Sequence, residues 1–154
     1  MKQLSVMLLL FLVQTVYSQN FIIISKQELK LYVVNNSDTL FSSSIGVGKN
    51  YGDKTKDGDC KTPEGTFKIV QIQNASKWTH DFKDGYGIRK GAYGAYFFRL
   101  KTPGFSGIGI HGTCFPDQIG TRCSEGCIRL NNRDLEKLKE YVYIGMKCII
   151  EKDL

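Results

Sequence analysis

His111 and Cys127 are the two side chains in this chain best suited to acyl-transfer chemistry, and the residues around each favour that use. A thiol attacks a carbonyl at neutral pH only when its pKa is lowered or a base takes its proton, and imidazole is the usual partner. His111 stands at the end of an apolar run containing Ile108 and Ile110, which reads as a buried strand. A loop of turn formers from Cys114 to Gly120 follows, and then Ser124-Glu125-Gly126-Cys127-Ile128-Arg129-Leu130. The glycine before Cys127 permits a close approach of backbone N–H groups to a reacting carbonyl, which an oxyanion hole requires. Cys127 is thus the candidate nucleophile and His111 the candidate base, with the Gly126 and Cys127 amides as oxyanion donors. An isolated cysteine outside the cytosol is more often half of a disulfide; the Ser-x-Gly-Cys setting favours the nucleophile.

Arg129, two residues beyond Cys127, falls on the same face of an extended segment, and its planar fork suits a substrate carboxylate. Ser124 either bonds the base or shapes the turn. Tyr93 and Tyr96 could line a peptide groove, although aromatics at strand spacing more often pack. His80 lies in a polar segment and reads as surface.

The stretch from Gly107 to Asn131 resembles the signature of the YkuD-type L,D-transpeptidases, in which a His-Gly pair precedes a Ser/Thr-x-Gly-Cys turn by about a dozen residues. His111-Gly112 and Ser124 to Cys127 match in type and spacing. The paired strands FIIISKQELKLYVV, the loop from Asp59 to Gly65 and the segment GAYGAYFFRL also look like family sequence, so the likeness covers nearly all of the chain after its first residues. The resemblance implies a mainly β fold with one packed helix, and the Gly112 carbonyl as the group that orients His111. It implies attack on stem peptides of peptidoglycan, at the amide between the third residue (diaminopimelate or lysine) and D-Ala. An amine acceptor makes the chain a transpeptidase; water makes it an L,D-carboxypeptidase. This chemistry needs no metal or organic cofactor. Many members carry a second histidine where this chain has Glu125.

The elements that must position these residues can be read along the chain. Residues 1–18 have the form of a secretory signal, with Lys2, the apolar run Val6 to Val13 and small residues near Ser18. The run is too short to span a membrane comfortably, and no cysteine follows it to carry a lipid. Residues 19–154 are expected as a single, monomeric catalytic domain in the periplasm or cell envelope. The net charge of +6 suits an anionic wall, but the cations are scattered, which argues against nucleic acid.

Strands are expected at Phe21 to Ser25, over residues 28–34, at Thr39 to Val47, at Thr66 to Gln73, and over 95–100 and 107–111. Gly48 to Asp59 reads as a long exposed loop, and Asn74 to Lys90 as irregular. A helix capped by Asn132 buries Leu135, Leu138 and Val142 and stops at Gly145, before a closing strand at Lys147 to Lys152. The whole is expected as a β-sandwich or curved mixed sheet with one helix across it.

Besides Cys127, Cys60, Cys114, Cys123 and Cys148 form an even set in a compartment that permits disulfides. Cys114–Cys123 and Cys60–Cys123 are the pairings of interest, while Cys148 in an apolar run suits a buried free thiol. A rival reading is a wall-binding module stapled by disulfides or by zinc, the latter on His111, Cys114, Cys123 and Cys127.

Overall fold

The computed structural model describes residues 19–153; the signal-like segment lies outside the described residues. Eleven strands are present: β1 Phe21–Ser25, β2 Lys30–Asn35, β3 Asp38–Gly48, β4 Gly65–Asn74, β5 Thr79–Asp81, β6 Ile88–Lys90, β7 Tyr96–Leu100, β8 Gly109–His111, β9 Arg122–Ser124, β10 Ile128–Leu130 and β11 Lys147–Ile150. Among the described residues the one α-helix is α1, Asn132–Lys139. Nine strands form one sheet in the order β10-β8-β7-β4-β11-β1-β2-β3-β9, and β10 also pairs with β3. That extra pairing closes the curved sheet into a ring. The expected curved sheet is therefore present, and it curls far enough to meet itself.

β3 makes the closure possible. Its first part pairs with β2, Ile45 and Gly46 with β10, and Val47 and Gly48 with β9. Alternation along the strands sends Ile22, Ile24, Leu31, Val33, Ile45 and Val47 inward, all fully buried. α1 adds Leu135 and Leu138 to this core.

The helix is shorter than its sequence suggests. Its N-cap is Asn131, whose side chain accepts from the Arg133 amide, and it ends before Val142, which is buried from the following turn. Asn132, expected as the cap, instead clamps the chain behind His111. Its Oδ1 accepts from the Thr113 amide at 2.9 Å and its Nδ2 donates to the Thr113 carbonyl at 3.0 Å.

Two regions expected to be irregular are organised. Within residues 74–90, β5 and β6 form a separate antiparallel hairpin. In the loop after β3, the Asp59 carboxylate binds the Lys54 ammonium at 2.8 Å and accepts from the Thr55, Lys56 and Lys61 amides. Burial opposes the charge on Asp59, but these partners outweigh it and hold the carboxyl well below its usual range. A second cluster ties the loop onto the ring: buried Lys26 meets Glu64 at 2.7 Å and Asp153 at 3.0 Å, and Asp153 also pairs with Arg122.

Candidate active site

β10, β8 and β7 lie side by side, and their register sets out the floor of the site. β10 runs parallel to β8 with Ile128 beside Ile110 and Arg129 beside His111. β7 runs antiparallel to β8 with Phe97 beside His111 and Arg99 beside Gly109. One residue earlier in the parallel register, Cys127 comes beside Gly109. Two rows result on one face, Cys127–Gly109–Arg99 and Arg129–His111–Phe97. The alternate residues Ile128, Ile110 and Phe98 point to the core and are fully buried. The face bearing the two rows closes the bottom of a cavity of about 480 Å³, lined by His111, Cys127, Arg99 and Arg129 among others.

His111 is held in one tautomer. Its Nδ1 lies 2.7 Å from the Gly112 carbonyl, and a carbonyl can only accept, so the proton is on Nδ1 and Nε2 keeps its lone pair. Gly112 is itself fixed by donating to the Tyr93 carbonyl at 2.8 Å. No larger residue fits there, because a Cβ would strike Asn132 Oδ1 and the Gly94 backbone. Phe97 stacks on the imidazole at 5.4 Å, and Tyr93 covers it at 4.8 Å. Burial in this setting pushes the His111 pKa down to about 3; the Gly112 bond opposes the shift, while nearby Arg129 and His80 add to it.

The turn carrying Cys127 is built by Ser124 and Thr62. Ser124 is fully buried, and its Oγ accepts from the Gly126 amide at 3.0 Å and donates to the Cys127 carbonyl at 2.6 Å. Ser124 therefore shapes the turn. The Gly126 N–H, expected to serve an oxyanion, is engaged by Ser124 Oγ here. The Cys127 amide remains the candidate donor in this turn. Gly126 itself has φ +134°, and a Cβ would press on the Lys61 carbonyl at 2.8 Å, so glycine is required there. Thr62, fully buried, accepts from the Gly48 amide at 2.8 Å and donates to the Gly126 carbonyl at 3.0 Å. Thr62→Val keeps the shape but orphans both groups. We expect it to cost about 2–4 kcal/mol and to lower the thermal midpoint by roughly 5–10 °C in a melting experiment.

The Cys127 thiol donates to the Gly107 carbonyl at 3.2 Å. Burial raises its pKa; the Gly109 amide, Arg129 and Arg99 pull the other way, and Glu125 adds to the rise. Burial thus disfavours the charged form of both groups, which line the same cavity.

Several side chains stand elsewhere than their sequence context suggests. His80, expected at the surface, lines the cavity from β5 with its Nδ1 3.0 Å from the Tyr93 hydroxyl. Phe82 follows it, packs on His80 and Phe115, and lies under the Arg129 guanidinium at 5.2 Å. Arg129 is only 7 % exposed, and its Nε has no hydrogen-bond partner. Tyr93 lines the cavity, whereas Tyr96 stacks on Phe98 on the opposite face. Glu125 is exposed at the rim. Arg99 was the residue the sequence concealed. Its one signal was alternation with Phe98 and Leu100, which a solvent-facing arginine would share.

All five cysteines are free thiols, so neither Cys114–Cys123 nor Cys60–Cys123 is joined; Cys148 is fully buried. Among the described residues no three histidine, cysteine, aspartate or glutamate side chains are grouped to hold a metal ion. No helix among them is long and apolar enough to cross a membrane.

The family model for the L,D-transpeptidase catalytic domain, YkuD, matches residues 19–150. The chain belongs to this family. Among relatives of the YkuD domain, a protein named as the L,D-transpeptidase YkuD of Bacillus licheniformis is 36% identical over 90 residues, covering 58% of this chain and 45% of that one. Another, named as the L,D-transpeptidase YqjB of Bacillus subtilis, is 26% identical over 136 residues, covering 86% of this chain and 72% of the other. The chain thus spans less than half the length of its YkuD relative. Among solved structures, an L,D-transpeptidase from Mycobacterium smegmatis matches with a TM-score of 0.65 at 17% identity, over 87% of this chain and 59% of that one. That likeness shows the YkuD fold: mostly strands in a curved sheet, with a packed helix.

Proposed function

We propose that the chain is an exported cysteine L,D-transpeptidase that acts on peptidoglycan stem peptides through a thioester on Cys127. The observation that carries this reading is the shared cavity of Cys127 and a His111 whose tautomer leaves Nε2 as acceptor. The Cys127 thiol gives its proton to Nε2 as sulfur attacks the carbonyl between the third stem residue and D-Ala. The oxyanion that forms faces the Cys127 amide. The C–N bond then breaks, and His111 passes the proton to the departing amine of D-Ala, leaving the thioester. An amine on a neighbouring stem attacks the thioester carbonyl, loses a proton to His111, and the proton returns to sulfur.

Arg129 binds a substrate carboxylate in this scheme. Its desolvated guanidinium and unpartnered Nε support that role. Tyr93 packs on the base and lines the groove. The enzyme works as a monomer, exported to the periplasm or cell envelope after residues 1–18 are removed, with no nucleic acid partner, no lasting membrane insertion and no cofactor.

Incubation with a disaccharide-tetrapeptide, followed by mass spectrometry, tests the reading. Loss of D-Ala with formation of stem dimers is expected. Loss of D-Ala alone identifies water as the acceptor and an L,D-carboxypeptidase; unchanged substrate with an alkylatable Cys127 rejects both. Glu125 sits at the rim and adds only a minor rise to the thiol pKa, so Glu125→His is expected to change the rate of D-Ala release by less than about tenfold, or ~1.4 kcal/mol.

A further inference from the structure

The cavity floor carries two guanidinium groups that no acid neutralises. Of the three cationic side chains lining the cavity, Lys54 is closed off by Asp59 at 2.8 Å. Among the described residues neither Arg99 nor Arg129 has a carboxylate within ion-pair distance. Asp57 and Glu125, the two acids on the cavity wall, are exposed and meet neither.

Arg99 is built in. Its Nε donates to Gln71 Oε1 at 3.0 Å and to Gln73 Oε1 at 3.1 Å, and its guanidinium lies over the Phe97 ring at 5.0 Å. Neutral amide oxygens orient a guanidinium without cancelling its charge. They also engage only the inner nitrogen, so the outer edge of the fork is available to a planar anion.

The two cations reach the sulfur from different directions. Arg129 lies on β10, two residues after Cys127, while Arg99 lies two strands away, about 10 Å across at the ordinary strand spacing. Between Cys127 and Arg99 stands Gly109, where a Cβ would collide with the Phe97 ring and the Phe98 carbonyl. The Phe97 ring thus lies over Gly109 and floors the lane that leads from Cys127 to Arg99. A single carboxylate cannot satisfy both corners. With a carbonyl over the sulfur, the carboxylate of the departing residue is one residue away. A carboxylate reaching the far end of the lane must be carried on an extended side chain.

We propose that Arg99 binds a carboxylate at the end of the side chain of the donor residue whose carbonyl Cys127 attacks. The preferred donor then carries a diaminopimelate-type residue at that place, and lysine there is disfavoured. This rests on the transpeptidase reading and adds the donor class to it.

The test compares three tetrapeptide donors whose third residue is diaminopimelate, its side-chain amide, or lysine, with thioester formation followed as kcat/KM on the full chain. The free acid is expected to exceed both others by about tenfold or more, a ratio worth ~1.4 kcal/mol. In Arg99→Gln that ratio should collapse toward one, whatever common loss the variant shows, and Arg99→Lys should keep part of it. Gln73→Glu places an acid against Nε in an otherwise intact site and should collapse the ratio as well, which guards against misfolding of the arginine variants. A wild-type ratio near one, or an unchanged ratio in both Arg99→Gln and Gln73→Glu, overturns the assignment of Arg99 while leaving the transpeptidase reading intact. If the wild type forms no thioester with any donor, that reading falls and this one with it.

Discussion

Cys127→Ala is expected to fold, melt close to the wild type, and form no thioester with any tetrapeptide donor. The loss in rate should be about 10⁴-fold or more, because removing a nucleophile removes the covalent path and leaves only the binding site. Little stability is lost because the change removes a single sulfur atom at the cavity wall, with its bond to the Gly107 carbonyl. Intact-mass measurement after incubation with donor decides the matter: a wild-type adduct that is absent in the variant is the expected pair. A variant that still releases D-Ala at the wild-type rate removes Cys127 from the mechanism.

The pH dependence of the same thiol is a sharper form of this prediction. Its pKa is raised, and burial is the main cause. Alkylation by iodoacetamide should therefore climb through neutral pH into the alkaline range without a plateau near pH 6–7. A plateau there would reveal a thiolate–imidazolium pair, which the burial of both groups opposes.

His111→Gln carries the second large effect. Glutamine has no group able to take the thiol proton, so thioester formation should fall by about 10²–10⁴-fold. It also predicts a gain. The folded protein holds His111 neutral down to about pH 3, whereas an unfolded chain protonates it near 6.5. Above about pH 6.5 neither state is protonated and the group costs nothing. As pH falls from 6.5 towards 3 the unfolded state takes up the proton and the folded state does not, so stability drops by a few kcal/mol. His111→Gln lacks this penalty. It should unfold at lower pH than the wild type in an acid titration monitored by circular dichroism. Coincident acid transitions would show that the imidazole is not buried in the folded state.

The parts of the site that were legible in the sequence are those made by neighbours along the chain. The apolar strand before His111 and the glycine before Cys127 each lie within a few residues of the group they position. The Gly112 carbonyl is adjacent to the imidazole it orients. What stayed hidden depends on register between distant strands. Arg99 reads as an outward residue on an alternating strand, and only the pairing of β7 with β8 and of β8 with β10 turns that outward face into a cavity floor. Thr62 carries no chemistry of its own, and its bond to Gly126 spans 64 residues. His80 lies in a three-residue strand, too short for a period to show. The sequence leaves the capping position ambiguous by one residue, because Asn131 and Asn132 both suit a cap. The amides of Thr113 and Arg133 divide them between two tasks.

β11, the last strand, inserts between β1 and β4, parallel to the first and antiparallel to the second. Until residues 147–150 are in place, β1 and β4 each present an unsatisfied edge, and the circle of hydrogen bonds stays broken. A chain in which this strand is undocked therefore exposes two open sheet edges, ready to pair with another chain.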